Sequence, residues 1–388
     1  MAVTYGTEHR FVHGRLLPRV LAPILPASWR KRAGVTVAEF RSETPTLMVW
    51  VQWRGRPPDP RDITDASVFD LEGIEGEPVR GKSTFYIFDQ PWGAVRGWQF
   101  ANFPRRGKHL GVRLYARGAA YNPDPLAEFT FPNPAPRRLP VWDAPALPQT
   151  QRMGQWEFTL TRFTTGEIIP ERLKPQRGWT APWTSAAFEV RHNGRPSQEW
   201  TVAGIQATDA SGNVANFTSV AITNPGAGPV FGFNAALWKA EPAWKLRVEF
   251  SRAAGFREDE LVSVQGVAVP PLGGATKVDQ TFPLQGASLN VRALERPWGM
   301  AGFIGSIQPN AVLTCLLVPP EGVRLRLVRV RDEQGREGRF LVEPPPASGY
   351  YSFRLEVPRQ ARALDFTLAV SPSVYVEFVA RPDFVGNP

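Results

Sequence analysis

One cysteine, four methionines, four histidines and, by count, seven lysines are spread over 388 residues. The lone Cys315 excludes an intrachain disulfide and any cysteine-rich zinc site. Its setting in the apolar run Val312–Val318 suits a small buried hydrophobe in a strand. No apolar run approaches the roughly 20 residues of a membrane span, and no secretory leader pattern is visible. Long stretches of helical periodicity are scarce as well. With so few lysines, 38 of the 45 basic residues are arginine (45 − 7), and the net charge is +9. A basic chain can meet nucleic acid, anionic lipid or acidic polysaccharide. Here the arginines alternate along strand-like segments instead of clustering, which argues against specific nucleic-acid recognition.

Glycine (34) and proline (39) are plentiful, and they fall singly between short apolar runs. That arrangement punctuates many strands and does not mark a disordered tract. With 43% hydrophobic residues the chain can fill real cores, and its length suggests two to four domains. Two Pro-rich stretches, Pro132 to Pro148 and Pro270 to Gly274, divide it into 1–135, 150–270 and 277–388.

The three segments share landmarks. Each opens with an alternating strand: residues 3–12, 155–163 and 287–294. Each carries an Asp-x-x-Gly turn: Asp70–Gly73, Asp209–Gly212 and Asp332–Gly335. Each later places an arginine between apolar residues, at Arg113, Arg247 and Arg354, with a second at Arg117, Arg252 and Arg359. The Asp side chain bonds the backbone of its own turn and Gly supplies the positive-φ position. The expectation is an all-β protein of three tandem antiparallel β-sandwich modules, Ig-like or C2-like, with short helical insertions. The helical candidate spans residues 15–33, where three prolines interrupt an apolar stripe that ends in Trp29-Arg-Lys-Arg32.

Gly76 to Ser83 matches the phosphate-loop pattern G-x-x-x-x-G-K-S. The residues that follow, Thr84-Phe-Tyr-Ile-Phe, read as a strand where a nucleotide site needs a helix, and Pro78 removes an amide from the cradle. Asp59, Asp62 and Asp65 lack calcium-loop spacing. His9, His13, His109 and His192 lack zinc spacing, and no nucleophile elbow is present. No catalytic residue, cofactor or metal is therefore assigned. Thirteen tryptophans remain. Trp92, Trp98, Trp179, Trp183 and Trp298 adjoin Pro or Gly in expected loops, where an exposed indole stacks on a sugar ring. Equally, such rings cap the ends of a sandwich.

Val3 to Phe11, Phe103 to Gly107, Leu126 to Pro134 and Trp244 to Arg252 resemble segments of bacterial membrane-anchored, β-rich envelope proteins of unassigned function. The resemblance spans most of the chain and implies an extracytoplasmic setting with a short N-terminal anchor. A strand pattern that begins at Val3 suggests that Met1-Ala2 replaces such an anchor, so the membrane is a partner only through it. The leading expectation is a non-catalytic structural or adhesion-type envelope protein working through a protein partner or self-association. Carbohydrate binding by loop tryptophans is the second reading, and a hydrolase whose site forms only on folding is the third.

Overall fold

The computed structural model describes residues 1–13, 26, 29, 36–52, 63–71, 79–80, 82–84, 95–116, 125–168, 182–217, 220–223, 229–233, 237–284, 286–298, 308–319, 322–341, 349–358 and 360–385. The protein is all-β: the described residues form 26 strands in five sheets and include no helix of seven or more residues. Of the 15–33 helical candidate, only Pro26 and Trp29 are among them.

Alternation of apolar and polar residues sends every second side chain to a buried face. Near the N-terminus, β1 (Ala2–His13), β2 (Thr36–Gln52), β6 (Val95–Phe100) and β5 (Lys82–Thr84) form one sheet. A second contains β4 (Val79–Arg80), β3 (Ile63–Asp70), β7 (His109–Ala116) and β8 (Ala127–Pro132). A first core lies between them, with Leu47, Val49, Trp98 and Phe100 from one sheet and Val68, Leu110, Val112 and Phe131 from the other.

A second core joins Phe158, Leu160 and Phe163 of β10 (Trp156–Ile168), Phe188 of β11 (Pro182–His192), Val202 and Ile205 of β13 (Trp200–Asp209), and Trp244, Leu246, Val248 and Phe250 of β17 (Trp244–Arg252). The third joins Leu289, Val291 and Leu294 of β20 (Ala287–Glu295), Leu313, Cys315 and Leu317 of β21 (Ala311–Val318), Leu325, Leu327 and Val330 of β22 (Val323–Asp332), and Tyr351, Phe353 and Leu355 of β24 (Tyr350–Glu356). Cys315 is fully buried there, and burial pushes its thiol up to about 12.

The second and third cores exchange strands. β18 (Leu261–Ala268), from the 150–270 segment, delivers Val262, Val264 and Val267 to the third core. In return β25 (Ala363–Ala380), 18 residues long, serves both. Its first half pairs with β18 and β22 and places Leu364, Phe366, Leu368 and Val370 in the third core. Its second half pairs with β17 and places Val376, Phe378 and Ala380 in the second. All seven are even-numbered, so both cores lie against one face of one strand. Finally β26 (Asp383–Phe384) runs parallel to β10. The Pro270–Gly274 stretch therefore does not separate the second unit from the third. It is tied into the third by Gly273 N–H donating to Arg296 O at 2.6 Å and Arg296 N–H to Gly274 O at 3.0 Å.

Strand sharing predicts that the second and third cores unfold as one cooperative unit. Phe378→Ala removes a fully buried ring from the second core and should cost about 3–5 kcal/mol. Urea unfolding should then show one transition for both cores, followed by buried Trp244 fluorescence and by near-ultraviolet dichroism of Tyr351. Two separated transitions would contradict the exchange.

Candidate functional site: a buried polar junction

The residues Ala101–Gly107, between β6 and β7, form a loop that engages two arginines, Arg105 and Arg106, with the second segment. The side-chain amide of Asn133 fixes the loop by donating to the carbonyls of Pro104, Arg105 and Gly107 at 2.9, 3.1 and 2.8 Å. Gly107 leaves no room for a Cβ, which would stand 2.9 Å from Asp70 Oδ1.

The outer side of the loop docks onto the Asp209 turn. Asp209 Oδ1 accepts from Ser211 N–H, Ser211 Oγ–H and Asn213 N–H at 2.8–2.9 Å, and Oδ2 accepts from Asn213 Nδ2 at 2.6 Å. Gly212 N–H closes the turn onto Asp209 O at 3.2 Å with φ +97°. The ordered turn then offers its edge. Asn213 Oδ1 accepts from Phe103 N–H at 3.1 Å, and Asn102 exchanges two bonds with the Val214 backbone at 2.7 and 2.9 Å. Arg105, 6% exposed, donates to the carbonyls of Ser211 (2.6 Å), Pro45 and Ala101 (both 3.2 Å), with its guanidinium over the rings of Phe103 and Tyr5. Arg106 Nε lies 2.9 Å from Glu241 Oε2, and its Nη2 donates to Pro140 O.

Two carboxylates and a guanidinium thus meet in a buried site. Desolvation, and then the charge of Asp209, raise the Glu241 pKa; Arg106 and Ser211 oppose the shift. Carboxylates in unlike environments are the raw material of acid–base chemistry. Here Asp209 and Glu241 are both buried; the Asp209 carboxylate bonds within its own turn, whose Ser211 and Asn213 receive the loop, while Glu241 takes Arg106 directly. This arrangement clamps two units in one orientation.

The 150–270 and 277–388 segments meet through a second set of charges. Glu249, on β17, holds Arg324 of β22 through a bidentate pair, and Arg326 Nη2 donates to Ser251 Oγ at 2.8 Å. The Asp332 turn repeats the backbone bonds of the Asp209 turn: Oδ1 accepts from the N–H groups two and four residues ahead, and Gly335 N–H closes onto Asp332 O at 2.9 Å. Of the Asp70 turn, residues from 72 onward lie outside the described residues.

Register corrects one part of the repeat. Three residues before each Asp, the cross-strand pairs are Ser67–Arg113, Gln206–Arg247 and Arg329–Thr367. The third partner strand is therefore β25, while Arg354 stands in β24 of the opposite sheet. Arg113 and Arg247 lie over Phe69 and Tyr375, each 4.2 Å from the ring centroid.

Among the tryptophans proposed as ligand contacts, Trp98 is corrected: it lies in β6, not in a loop, and is fully buried in the first core. Alternation along Val95–Phe100 points it inward. Trp92 and Trp179 lie outside the described residues, and Trp183 pairs through its backbone with Glu167 in the β10–β11 ladder. Trp298 is 75% exposed, and its Nε1 would stand 2.1 Å from a Cβ at Gly273. An aromatic group that the loop criterion overlooked closes one end of the second core. Trp156 stacks on His192 with centroids 4.2 Å apart, and Trp200 meets Trp156 edge-on beneath Arg252. These residues sit at strand ends, so proximity to Pro or Gly could not find them; the ends of the alternating runs could.

Lys82 and Ser83 of the phosphate-loop match lie in strand β5, paired with Gln99 and Trp98. Asp65 lies in β3, and Asp59 and Asp62 lie outside the described residues. His9 is buried between two hydroxyls, Thr4 Oγ1 at 2.8 Å from Nδ1 and Thr46 Oγ1 at 2.9 Å from Nε2. No group of three or more His, Cys, Asp or Glu is placed to hold a metal among the described residues. No protein-family model, curated protein or solved structure matches this chain.

Arg106→Ala leaves Glu241 buried without its counter-charge and should cost about 3–5 kcal/mol, measured by urea titration. Because folding raises the Glu241 pKa, its stabilising contribution is complete below the ordinary carboxyl value and declines as pH rises through the folded value. Glu241→Gln should flatten that decline above the ordinary carboxyl value. His9 has the opposite sign. Burial lowers its pKa, so the first core should lose stability as pH falls below about 6.5. His9→Gln should remove that loss; an unchanged acid limb would assign it to another group.

Proposed function

We propose that this protein is a non-catalytic structural or adhesion-type component of the cell envelope, acting through a protein partner or through self-association. Its paired sheets are read as tandem antiparallel β-sandwich modules. The supporting observation is the use made of buried charge: Arg105, Arg106 and Glu241 join the first core to the second, and Glu249 with Arg324 joins the second to the third. Apolar contacts tolerate sliding, whereas a bidentate ion pair has one geometry. Three units locked in this way hold their outer loops and sheet edges at fixed separations, as a spacer or adhesin requires. Sheet edges such as β8 and β19 (Ala275–Leu284) are exposed along much of their length and suit strand addition by a partner. Sedimentation velocity across a concentration series, with fractionation of the native host cell, tests this reading. A strictly monomeric protein recovered only from cytosol would overturn it.

Trp298 favours a second reading, polysaccharide binding. A 75% exposed indole over Gly273, beside a half-exposed Leu272, offers a flat surface to the apolar face of a sugar. Gly273 has φ +82°, so the platform depends on glycine for both conformation and space. On a glycan array, Trp298→Ala should lose any signal the native chain shows; no native signal to any glycan would remove this reading.

A further inference from the structure

Even-numbered residues of β25 face the cores, so Ser371, Ser373, Tyr375 and Glu377 face away from them. By the same alternation Glu249 and Ser251 of β17, and Arg324 and Arg326 of β22, project to that outer side. Ser251 lies opposite Ser373, and Arg324 lies opposite Ser371. Directly paired residues bring their Cβ atoms within about 4.5–5.5 Å. Arg326 reaches across to Ser251, so two guanidinium groups and three hydroxyls gather where β17 ends and β22 begins along the shared strand.

The donors in this cluster outnumber the acceptors. Arg324 takes both oxygens of Glu249. Arg326 has the Ser251 hydroxyl at 2.8 Å and no carboxylate partner among the described residues. Its Nε, Ser371 Oγ and Ser373 Oγ are buried and without a hydrogen bond. Ser251 and Ser371 are each only 1% exposed. Two positive charges against one negative leave a local excess of one, in surroundings that lower the Arg326 pKa by desolvation. A guanidinium removed from water without a counter-charge is costly. Tyr375 and Tyr351 are the other titratable groups coupled to this pair of arginines.

We propose that this seam is a binding site for a small oxyanion, a phosphate or sulfate group. Sulfate is all acceptor, and hydrogen phosphate offers three acceptor oxygens beside one hydroxyl. Either complements the planar fork of Arg326 and the hydroxyls of Ser251, Ser371 and Ser373, and neutralises the excess charge. The same site would tie the second core to the third, because its donors come from β17, β22 and β25.

Thermal unfolding and isothermal titration of the full chain with inorganic phosphate, sulfate and chloride at matched ionic strength test the proposal. Phosphate and sulfate should bind saturably and raise the unfolding midpoint, and chloride should not. Arg326→Gln should weaken that binding by about tenfold or more, the loss of a charge-assisted contact. Ser371→Ala removes a buried hydroxyl with no partner. It should leave the anion-free midpoint unchanged or higher while weakening phosphate binding. A midpoint rise that is linear in salt and equal in native chain, R326Q and S371A is general salting-out, and overturns the site. If R326Q does not fold, S371A alone decides: undiminished saturable binding overturns the site. Absence of saturable binding to the native chain overturns it outright.

Discussion

An antiparallel strand has two edges and two faces, and Ala363–Ala380 pairs along both edges while turning a single face to two cores at once. Every even side chain from Leu364 to Val370 fills the third core, and those from Val376 to Ala380 fill the second. The strand cannot shift by one residue without turning both sets outward. Neither core can be completed before the C-terminal strand arrives, although β17, its partner in the second core, lies more than a hundred residues earlier. That separation gives the pair a high loop-closure cost during folding. The forward passage of β18 into the third core compounds the dependence. Two hydrophobic centres thus share one strand, and a second strand passes between the segments that hold them.

The attachment of the first core follows a different logic. Among the described residues no strand crosses; a loop docks. Asn133 and Gly107 hold the loop's shape from its own side, and the Asp209 turn receives it from the other. The Pro-rich stretch after β8 also takes part: Pro140 accepts from Arg106, Leu147 packs on the second core, and Gln149 donates to Val379 O at 2.8 Å. What composition marks as a linker is laid along the second unit. Proline suits that role because an extended segment without amide donors needs few partners.

The sequence showed fold class best where a short local rule governs. Alternation at 3–12, 155–163 and 287–294 gave β1, β10 and β20, and Asp with Gly gave the turns at 209 and 332. It failed where long-range pairing decides. Arg354 and Arg113 share an apolar-Arg-apolar pattern, yet the structural counterpart of Arg113 in the third unit is Thr367, because β22 pairs with β25. The border expected at Pro270–Gly274 missed the exchange for the same reason: β18 shows an ordinary alternating pattern that does not name its core. Trp98 shows the limit of residue type as a guide. Glycine beside it suggested a loop, but Gly97 is in a strand because its absent Cβ admits the ring of Trp50, whose nearest atom would lie 2.7 Å away. The Arg105, Arg106 and Glu241 junction carried a faint signal, Phe103-Pro-Arg-Arg-Gly107, a charged pair set between a proline and a glycine.

Buried ion pairs are weak contributors to net stability, since desolvation offsets most of their attraction. Their frequency at both junctions therefore calls for another explanation. An apolar contact of equal area between the Asp209 turn and the Phe103 loop would hold nearly as well in several registers. Arg105 has three carbonyl acceptors at 2.6–3.2 Å and stacks on Phe103, which limits it to one. Arg324 on Glu249 does the same where β22 begins. The charges fix orientation and the cores supply the stability. The outer face of β25 follows the same division: Ser371 and the hydroxyl oxygen of Ser373 are buried there beside Arg324 and Arg326, while the apolar side chains of the strand fill the cores.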